Sequence, residues 1–405
     1  ETFTLPIPSK TGYAFTGWTG SNGTTPQTSI SINRGSTGNK SYTANWSINN
    51  YTLTVNPNGG SWNGNSSSQN IVQNYNTTKA IPVPTRTGYT FLRWDLKGSG
   101  TLNNRITSDP YFTSGMGGIS TYNNNGDGKV SLTRQAKSSD NTFGSNYEIK
   151  IDVKGANNPG YGGFYHGITS VANTKYVHSF IAKLPKGTTL AIAHNPVGDD
   201  YSKRWLTSNE GTGKWELYAY EMNTGSKGTF STFGHIYVSS SSTSTFTWYL
   251  AASQITTVSS NATYTYGAGN GTLVAQWAPN RYTVTYNSNK GSGSMSPDTV
   301  TYNTAYKTKK NTFTRTGYTF NGWNEKADGT GTAWSLASSG VYEANKTWTW
   351  TYTHDITLYA QWKANSYTYN IKYVSSSGKV LGNNTVTGTF DTSKTVTPPN
   401  KAGYT

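Results

Sequence analysis

Short runs in which apolar residues alternate with small polar ones recur along the chain. From Tyr51 to Val55, Tyr, Leu and Val alternate with Thr, and the same alternation appears from Tyr282 to Tyr286. Side chains of a strand point alternately to its two faces, so each run predicts a strand with one buried face. No long segment carries apolar residues at helical spacing. The pattern therefore predicts an all-β protein.

Two aromatic phrases recur and divide the chain into modules. The opening phrase, TGYxFxxW, stands at 11–18, 87–94 and 316–323, with a shortened AGYT at 402–405. The closing phrase is a short alternating run that ends at Trp46, Trp277 and Trp362. From each closing Trp to the Gly of the next opening phrase is 40 to 42 positions. This nearly constant spacing predicts an array of similar small units.

One interval breaks the spacing. The opening and closing Trp are 28 positions apart in the first repeat and 39 in the third, but 183 in the second. The excess of 144 positions over the third repeat has the size of a domain rather than of a loop. The predicted modules are the closing part of a repeat at 1–47, an interrupted repeat at 48–102 and 262–278, an inserted domain at 103–261, a third repeat at 279–363 and the opening part of a fourth at 364–405.

The rings of the opening phrase allow two interpretations. A Gly precedes Tyr and Phe two positions apart, so both rings fall on one strand face, and the Trp three positions later can close a core. Such regularly spaced rings could also form a row that stacks on a glycan. Core packing is favoured because only 33% of the residues are hydrophobic, and the 30 Tyr, 13 Trp and 13 Phe are needed to build the cores of small modules.

The sequence GYTFNGWNEKADGTGTAW, followed by TLYAQW, resembles the Listeria-Bacteroides repeat, the family that includes the B-repeat of internalin-type surface proteins. The resemblance covers residues 1–102 and 262–405. It implies a small β-grasp-like module of bacterial extracellular and cell-wall-associated proteins, used as a stalk or for weak adhesion, and no catalytic activity. Arg93 stands where the other repeats have Gly17 and Gly322. This difference predicts that the chain leaves this strand differently in the interrupted repeat.

The inserted segment alternates more cleanly still. Tyr147, Ile149, Ile151 and Val153 fall on one face of a run whose other face is charged, and similar runs follow without helices between them. This pattern predicts a two-sheet β-sandwich. The order GGFYHGI, VHSFIAKLPKGTTL, GTGKWELYAYEM and FTWYLAASQIT resembles the jelly-roll carbohydrate-binding modules of galactose-binding-like type, and also sandwich domains of phage and bacterial surface proteins.

A lectin-like sandwich would need flat aromatic faces and hydrogen-bonding side chains at its loops and strand edges. The segments around 161–166 and 194–205 carry that mixture in Gly- and Asn-rich surroundings. The candidate glycan-binding residues are Tyr161, Tyr165, His166, Asn195, Asp200, Tyr201, Arg204 and Trp205. The alternative is that Phe164 and Trp205 belong to the core and the charged residues form an ordinary loop surface.

Metal and cofactor signals are weak. Asn123, Asn125 and Asp127 resemble the start of a calcium loop, but the last-ligand position of the EF-hand pattern falls on Arg134, which cannot coordinate calcium. A hairpin turn explains the segment better. A structural calcium that uses Asp127 with ligands distant in sequence stays an open alternative, and no other cofactor is predicted. The histidines show no metal-site spacing.

Charge and cysteine content limit the partners. Lys and Arg exceed Asp and Glu by 33 to 18, for a formal net charge of +15, but the basic residues are scattered and the densest run is only Lys307, Lys309 and Lys310. We therefore expect no nucleic-acid partner, and a positive surface that suits an anionic cell wall or glycan. The chain has no cysteine, which excludes disulfides, and no run long enough to predict a membrane span.

The function classes follow from these features. The only adjacent acidic pair, Asp199 and Asp200, cannot by itself form a glycosidase site, which needs two carboxyls across a cleft, and no GxSxG motif or phosphate loop is present. We therefore expect no enzyme. We expect an extracellular, cell-envelope or cell-wall-associated adhesin-like protein, in which repeats form a stalk and the inserted sandwich binds a glycan, a cell-wall polysaccharide or a host or cell-surface protein. The alternatives are a purely structural spacer or protein-binding fibre and a phage tail adhesin component. Both ends fall inside a repeat, which suggests a fragment of a longer protein.

Overall fold

A computed structural model describes residues 1–103, 107, 109–123, 129–143, 146–154, 161–193, 202–226, 232–239, 245–258, 261–334 and 347–403; of Lys129, Tyr161 and Ser239 it describes the backbone only. These described residues form strands and turns and contain no helix, which confirms the all-β prediction. The chain divides into two compact units, Glu1–Pro279 and Asn280–Thr405.

The first module contains five strands: β1 (Phe3–Thr4), β2 (Tyr13–Gly20), β3 (Gly23–Gln27), β4 (Ser31–Ile32) and β5 (Tyr42–Ile48). β2 lies between β3 and β5 in an antiparallel sheet, and β1 pairs with β4. Phe15 meets Trp18 and Trp46 edge-on, with ring centroids 5.4 and 5.6 Å apart. The opening and closing phrases are therefore in contact through the ring of Phe15.

The second module begins with five strands: β6 (Asn50–Asn56), β7 (Gln69–Asn74), β8 (Thr78–Ile81), β9 (Tyr89–Gly98) and β10 (Thr101–Leu102). The inserted segment follows with ten: β11 (Ile119–Tyr122), β12 (Lys129–Ala136), β13 (Tyr147–Lys154), β14 (Tyr161–His166), β15 (Lys175–Lys183), β16 (Thr189–Ile192), β17 (Ser202–Trp205), β18 (Trp215–Asn223), β19 (Phe233–Ser239) and β20 (Phe246–Thr257).

The ten inserted strands form two antiparallel sheets. One has six strands in the order β12-β13-β20-β15-β18-β17, and the other has four in the order β11-β14-β19-β16. Their facing sides share one core, which includes Ile151, Phe164 and Trp248, all fully buried. The charged residues of β13 fall on the opposite face of its sheet, as the alternation predicts. The insertion is thus a two-sheet β-sandwich.

The second module closes with β21 (Ala262–Thr265) and β22 (Gly271–Pro279). Its main sheet has the order β7-β6-β22-β9, in which β6 and β22 are parallel and the other pairs antiparallel. A smaller sheet has the order β10-β21-β8. Leu53, Trp94 and Leu273 lie in the core between them. Trp94 is 3% exposed, so here the core interpretation of the opening Trp is confirmed.

The second compact unit repeats this plan. Its strands are β23 (Arg281–Asn287), β24 (Asp298–Thr301), β25 (Ala305–Tyr306), β26 (Tyr318–Asn324), β27 (Ala333–Trp334), β28 (Trp348–Thr349), β29 (Ile356–Ala364), β30 (Ser366–Val374) and β31 (Val380–Thr389). The main sheet has the order β24-β23-β29-β26-β27, again with its first and last long strands, β23 and β29, parallel. Trp323, Trp350 and Leu358 are fully buried in its core. β30 and β31 form a separate hairpin.

Arg93 joins the second module to the inserted sandwich. It follows a bulge at Leu92, and it lacks the positive φ of Gly17 (135°) and Gly322 (117°) at the same position of the phrase. Its Nε donates to Asp95 Oδ1 at 2.7 Å and its Nη1 to Ser179 Oγ at 2.6 Å. Burial disfavours the charge, but Asp95 and Tyr111 outweigh burial and raise the pKa of Arg93.

An apolar cluster completes this junction. Leu92 and Ala278 of the repeat pack with Val177, Leu206 and Ala219 of the sandwich, and all five are buried. Thr256 Oγ1 of β20 also donates to the carbonyl of Leu92 at 2.9 Å. Buried apolar contact of this kind fixes the insertion against its host repeat rather than leaving it on free linkers.

Candidate functional site

The outer side of the four-stranded sheet of the sandwich carries aromatic side chains from three strands. On β14, Phe164 and His166 point into the core, so Tyr165 between them points outward. On β19, Ile236 and Val238 are fully buried and the residues that alternate with them face out. The resulting set, here called the tyrosine face, is Tyr122, Tyr165, His235 and Tyr237.

Ring contacts join the four residues of the tyrosine face in a row. Tyr165 stacks on His235 with ring centroids 4.9 Å apart and planes 21° apart. Tyr122 meets His235 edge-on at 5.1 Å and Tyr237 at 6.0 Å. All four residues are partly exposed. They therefore form one continuous aromatic surface on a rigid sheet rather than on loops.

Gly163 lies at the centre of this face. Its register partners are Tyr122 on β11 and Tyr237 on β19. A Cβ at this position would meet the Ile236 carbonyl oxygen and the Tyr237 Cα, so the close approach of the two strands requires Gly. Gly163 is buried, and it allows the strands that carry the two tyrosines to pack closely.

The Tyr122 hydroxyl is protonated at neutral pH. Burial, with a smaller effect from Tyr237, raises the pKa of Tyr122. A protonated phenol can both donate and accept a hydrogen bond. The face thus offers ring surfaces and donor–acceptor groups side by side.

The residues predicted from sequence are not brought together as one set. Tyr165 lies on the tyrosine face. Tyr161 belongs to the same strand through its backbone, opposite Ser239. Asn195, Asp200, Tyr201 and the calcium candidate Asp127 lie outside the described residues.

The other three predicted residues lie elsewhere. His166 is 1% exposed, inside the core, where no glycan can contact it, because it alternates with the outward-facing Tyr165. Trp205 is on the six-stranded sheet, packed against the core and edge-on to Tyr220 at 5.5 Å. Arg204 is exposed on that sheet and pairs with Glu221 at 2.9 Å. For Trp205, the alternative of core packing describes the contacts better.

Sequence reasoning missed Tyr122, His235 and Tyr237. The signal for two of them was present, because in the run from Phe233 to Ser239 they alternate with the apolar Ile236 and Val238. The position of this strand beside β14 could not be read in the same way. It depends on pairing between segments about 70 positions apart.

A buried polar chain crosses the interior of the sandwich behind this face. The Nε2 atoms of His166 and His178 each lie 2.8 Å from Ser253 Oγ, and His178 Nδ1 lies 3.2 Å from the Tyr220 hydroxyl. One hydroxyl hydrogen cannot serve both imidazoles, so Ser253 donates to one and accepts from the other. Burial lowers the pKa of His166 to about 3 and, together with His166, lowers that of His178 well below its ordinary value.

A cleft lies at the junction of the second repeat and the sandwich. This cleft of about 590 Å³ is lined by residues of both, among them Arg93, Asp95, Tyr111, Phe143 and Leu217. Tyr111 donates to Asp95 Oδ1 at 3.2 Å, the oxygen that also accepts from Arg93. The charges of Arg93 and Asp95 in this cleft are therefore engaged with each other.

The described part of the chain also lacks two features. It contains no group of three or more His, Asp or Glu side chains placed to hold a metal ion. Nor does any helix there have the length and apolar character needed to cross a membrane.

Parts of the chain are similar to known proteins. Residues 1–45, 51–116 and 282–361 match the Listeria-Bacteroides repeat domain family. A protein of Evansella cellulosilytica named as a Gly-rich membrane protein is 32% identical over 142 residues, which are 34% of this chain and 15% of that protein. Another from the same organism, named as a membrane protein, is 34% identical over 102 residues, which are 24% of this chain and 14% of that protein. The chain thus spans about one seventh of the length of these relatives.

Proposed function

We propose that this chain belongs to a surface-associated protein whose repeats form a stalk and whose inserted sandwich binds a glycan. Three segments match the Listeria-Bacteroides repeat family, and parts of the chain are similar to two relatives named as membrane proteins. The proposal includes an extracellular, cell-envelope location. The observation that carries the glycan part is the tyrosine face, in which four partly exposed rings form a row of contacts on one sheet.

The chemistry of a sugar suits this face. The C–H side of a pyranose packs on the plane of an aromatic ring, while its hydroxyls need donors and acceptors at the rim. Tyr122, Tyr237 and His235 supply those groups. The excess of basic residues, +15 overall, favours an anionic cell-wall polysaccharide over a neutral one.

The strand order supports a jelly-roll relationship for the sandwich. Successive strands from β13 to β16 alternate between the six-stranded and the four-stranded sheet, as they do in jelly rolls. The proposal contains no catalytic step. Ser253, His166 and His178, which have the residue types of a hydrolytic site, are each 1% exposed within the core.

One observation favours a second candidate function, a structural spacer. The sandwich is fixed to its host repeat by the buried cluster around Leu92 and by the contacts of Arg93 with Asp95 and Ser179. An insertion fixed in this way would lengthen a fibre and keep its orientation, whether or not it binds a ligand.

Binding of the full chain to purified Gram-positive cell-wall polysaccharides and to a glycan array tests the proposal. Tyr165→Ala should weaken binding about tenfold, because one aromatic contact is worth about 1 kcal/mol or slightly more. Tyr249→Ala is the matched control, because Tyr249 is a partly exposed residue of the other sheet. Absence of any binding, or equal losses in the two variants, would favour the spacer.

A further inference from the structure

The first and last long strands of each complete repeat are parallel neighbours with the same pairing. In the second repeat, β6 pairs with β22 from Leu53–Gly271 to Asn56–Val274. In the third, β23 pairs with β29 from Val284–Ile356 to Asn287–Tyr359. Each pair has four register positions, although one repeat contains a whole domain between the two strands and the other does not.

Side chains extend this parallel pairing at both of its ends. In the second repeat, the Thr52 backbone N–H donates to Asn270 Oδ1 at 2.9 Å, and Asn58 Nδ2 donates to the Ala275 carbonyl at 3.0 Å. The third repeat has the same two bonds, from the Thr283 N–H to Asp355 Oδ1 at 2.8 Å and from Asn289 Nδ2 to the Ala360 carbonyl at 2.9 Å.

The Trp of the closing phrase adds a third link. Trp277 Nε1 donates to the carbonyl of Pro57, in the turn that follows β6, at 3.0 Å. Trp362 Nε1 donates to the carbonyl of Ser288, in the turn that follows β23, at 2.9 Å. A side chain at Gly60 would meet the Trp277 ring, so the turn is shaped to receive it. The closing Trp thus links the last long strand to the turn that follows the first.

The position of the linkers determines how tension would load these bonds. The chain enters the second repeat at Asn50, the start of β6, and leaves it at Pro279, the end of β22. Because the strands are parallel, these two points lie at opposite ends of the pair. Tension between neighbouring repeats therefore pulls β6 and β22 past each other along their axes. All paired bonds are loaded together, rather than one after another as when strands are peeled apart.

We propose that β6–β22 and β23–β29, each with its side-chain links, are strand clamps that bear tension along the tandem repeats. The insertion lies outside the load path. It enters the chain between β10 and β21, both of which lie between β6 and β22 in sequence, so force crosses from β6 to β22 without passing through the sandwich. The proposal does not depend on glycan binding, and its test uses no glycan.

Single-molecule pulling on the full chain can test the direction dependence. The chain has no cysteine, so two introduced cysteines give unique attachment points. Asn50→Cys with Pro279→Cys loads the clamp in shear, whereas Asn50→Cys with Ala268→Cys pulls at the same end of both strands and peels them. Because four positions resist together in shear, rupture force should be about twofold or more higher than in peeling. Equal forces in the two directions would overturn the proposal.

Matched variants test the side-chain links. Trp277→Phe removes the N–H bond across the clamp, and Trp62→Phe removes an equivalent bond of 3.0 Å, to the Pro82 carbonyl, that does not link β6 to β22. Both should lower the thermal midpoint, but only Trp277→Phe should lower the shear rupture force. Equal force losses would contradict the proposal.

A second pair of variants covers the case in which a Trp variant fails to fold. Asn58→Gly removes another side-chain link of the clamp, the hydrogen bond from Asn58 to the Ala275 carbonyl. Asn63→Gly is its control, because Asn58 and Asn63 have the same φ of 48°. Asn58→Gly should lower the shear force and Asn63→Gly should not.

The order of unfolding events tests the load path. If extension from unfolding of the sandwich precedes clamp rupture under shear, the sandwich bears load and the proposal fails.

Discussion

Mild acid is expected to destabilise the inserted sandwich through His166 and His178. Both imidazoles are 1% exposed, and burial holds the pKa of His166 at about 3 and that of His178 well below its ordinary 6.5. The unfolded chain binds protons at both positions as the pH falls below about 6.5, while the folded chain does not. The stability that these neutral histidines contribute is therefore complete above pH 6.5 and is lost as the pH falls from there towards the folded values.

The size of the effect follows from this difference in proton binding. Each group costs up to about 1.4 kcal/mol per pH unit below its unfolded pKa, so lowering the pH from about 7.5 to about 5 costs about 2 kcal/mol per histidine and about 4 kcal/mol for the pair. Carboxylates contribute little to this change. Asp109, for example, has its pKa lowered to about 2 because its hydrogen bonds to residues 113 and 114 outweigh its burial, so it titrates below this pH range.

Amide hydrogen exchange of β15 at about pH 7.5 and about pH 5, corrected for the intrinsic exchange rate, measures this loss, because β15 lies inside the sandwich and reports its unfolding. The variant with His166→Gln and His178→Gln should start less stable, since its core hydrogen bonds change, but should lose about 4 kcal/mol less on acidification. His354→Gln, at an exposed residue of the other unit, is the control. An equal pH dependence in wild type and the double variant would refute the reasoning.

Three further outcomes are expected. Arg93→Gly restores the residue of the other repeats but removes the buried contact with Ser179; calorimetry should show the sandwich and its host repeat melting separately, with a loss of about 1–3 kcal/mol. Gly163→Ala should prevent correct pairing of β14 with β19 and lower the sandwich midpoint, whereas Gly115→Ala, in open space, should not. Tyr306→Phe should lower the stability of unit Asn280–Thr405 by about 1–2 kcal/mol, since its hydroxyl bonds a buried Tyr–Asp cluster; Glu1–Pro279 should melt unchanged.

The sequence was informative wherever a feature is local. Alternation alone predicts that Tyr165 and His166 point to opposite faces, so the two could not share one surface site, and the structure shows this. What could not be predicted is non-local. Tyr165 and Trp205 belong to different sheets, and His166, His178 and Ser253 come together from three strands. Their meeting depends on strand order across two sheets, which no short pattern encodes.

The difference between local and non-local features also explains how one repeat can contain a domain. The insertion lies between β10 and β21, a place equivalent to the segment between β27 and β28 in the third repeat, since β21 pairs with β8 as β28 pairs with β25. None of these strands belongs to a clamp, so the parallel pair and its three side-chain links are the same in both repeats. Additional residues at this place lengthen a loop whose ends the smaller sheet already holds together, which costs little. The adaptation falls instead on Leu92 and Arg93, phrase positions that contact the sandwich.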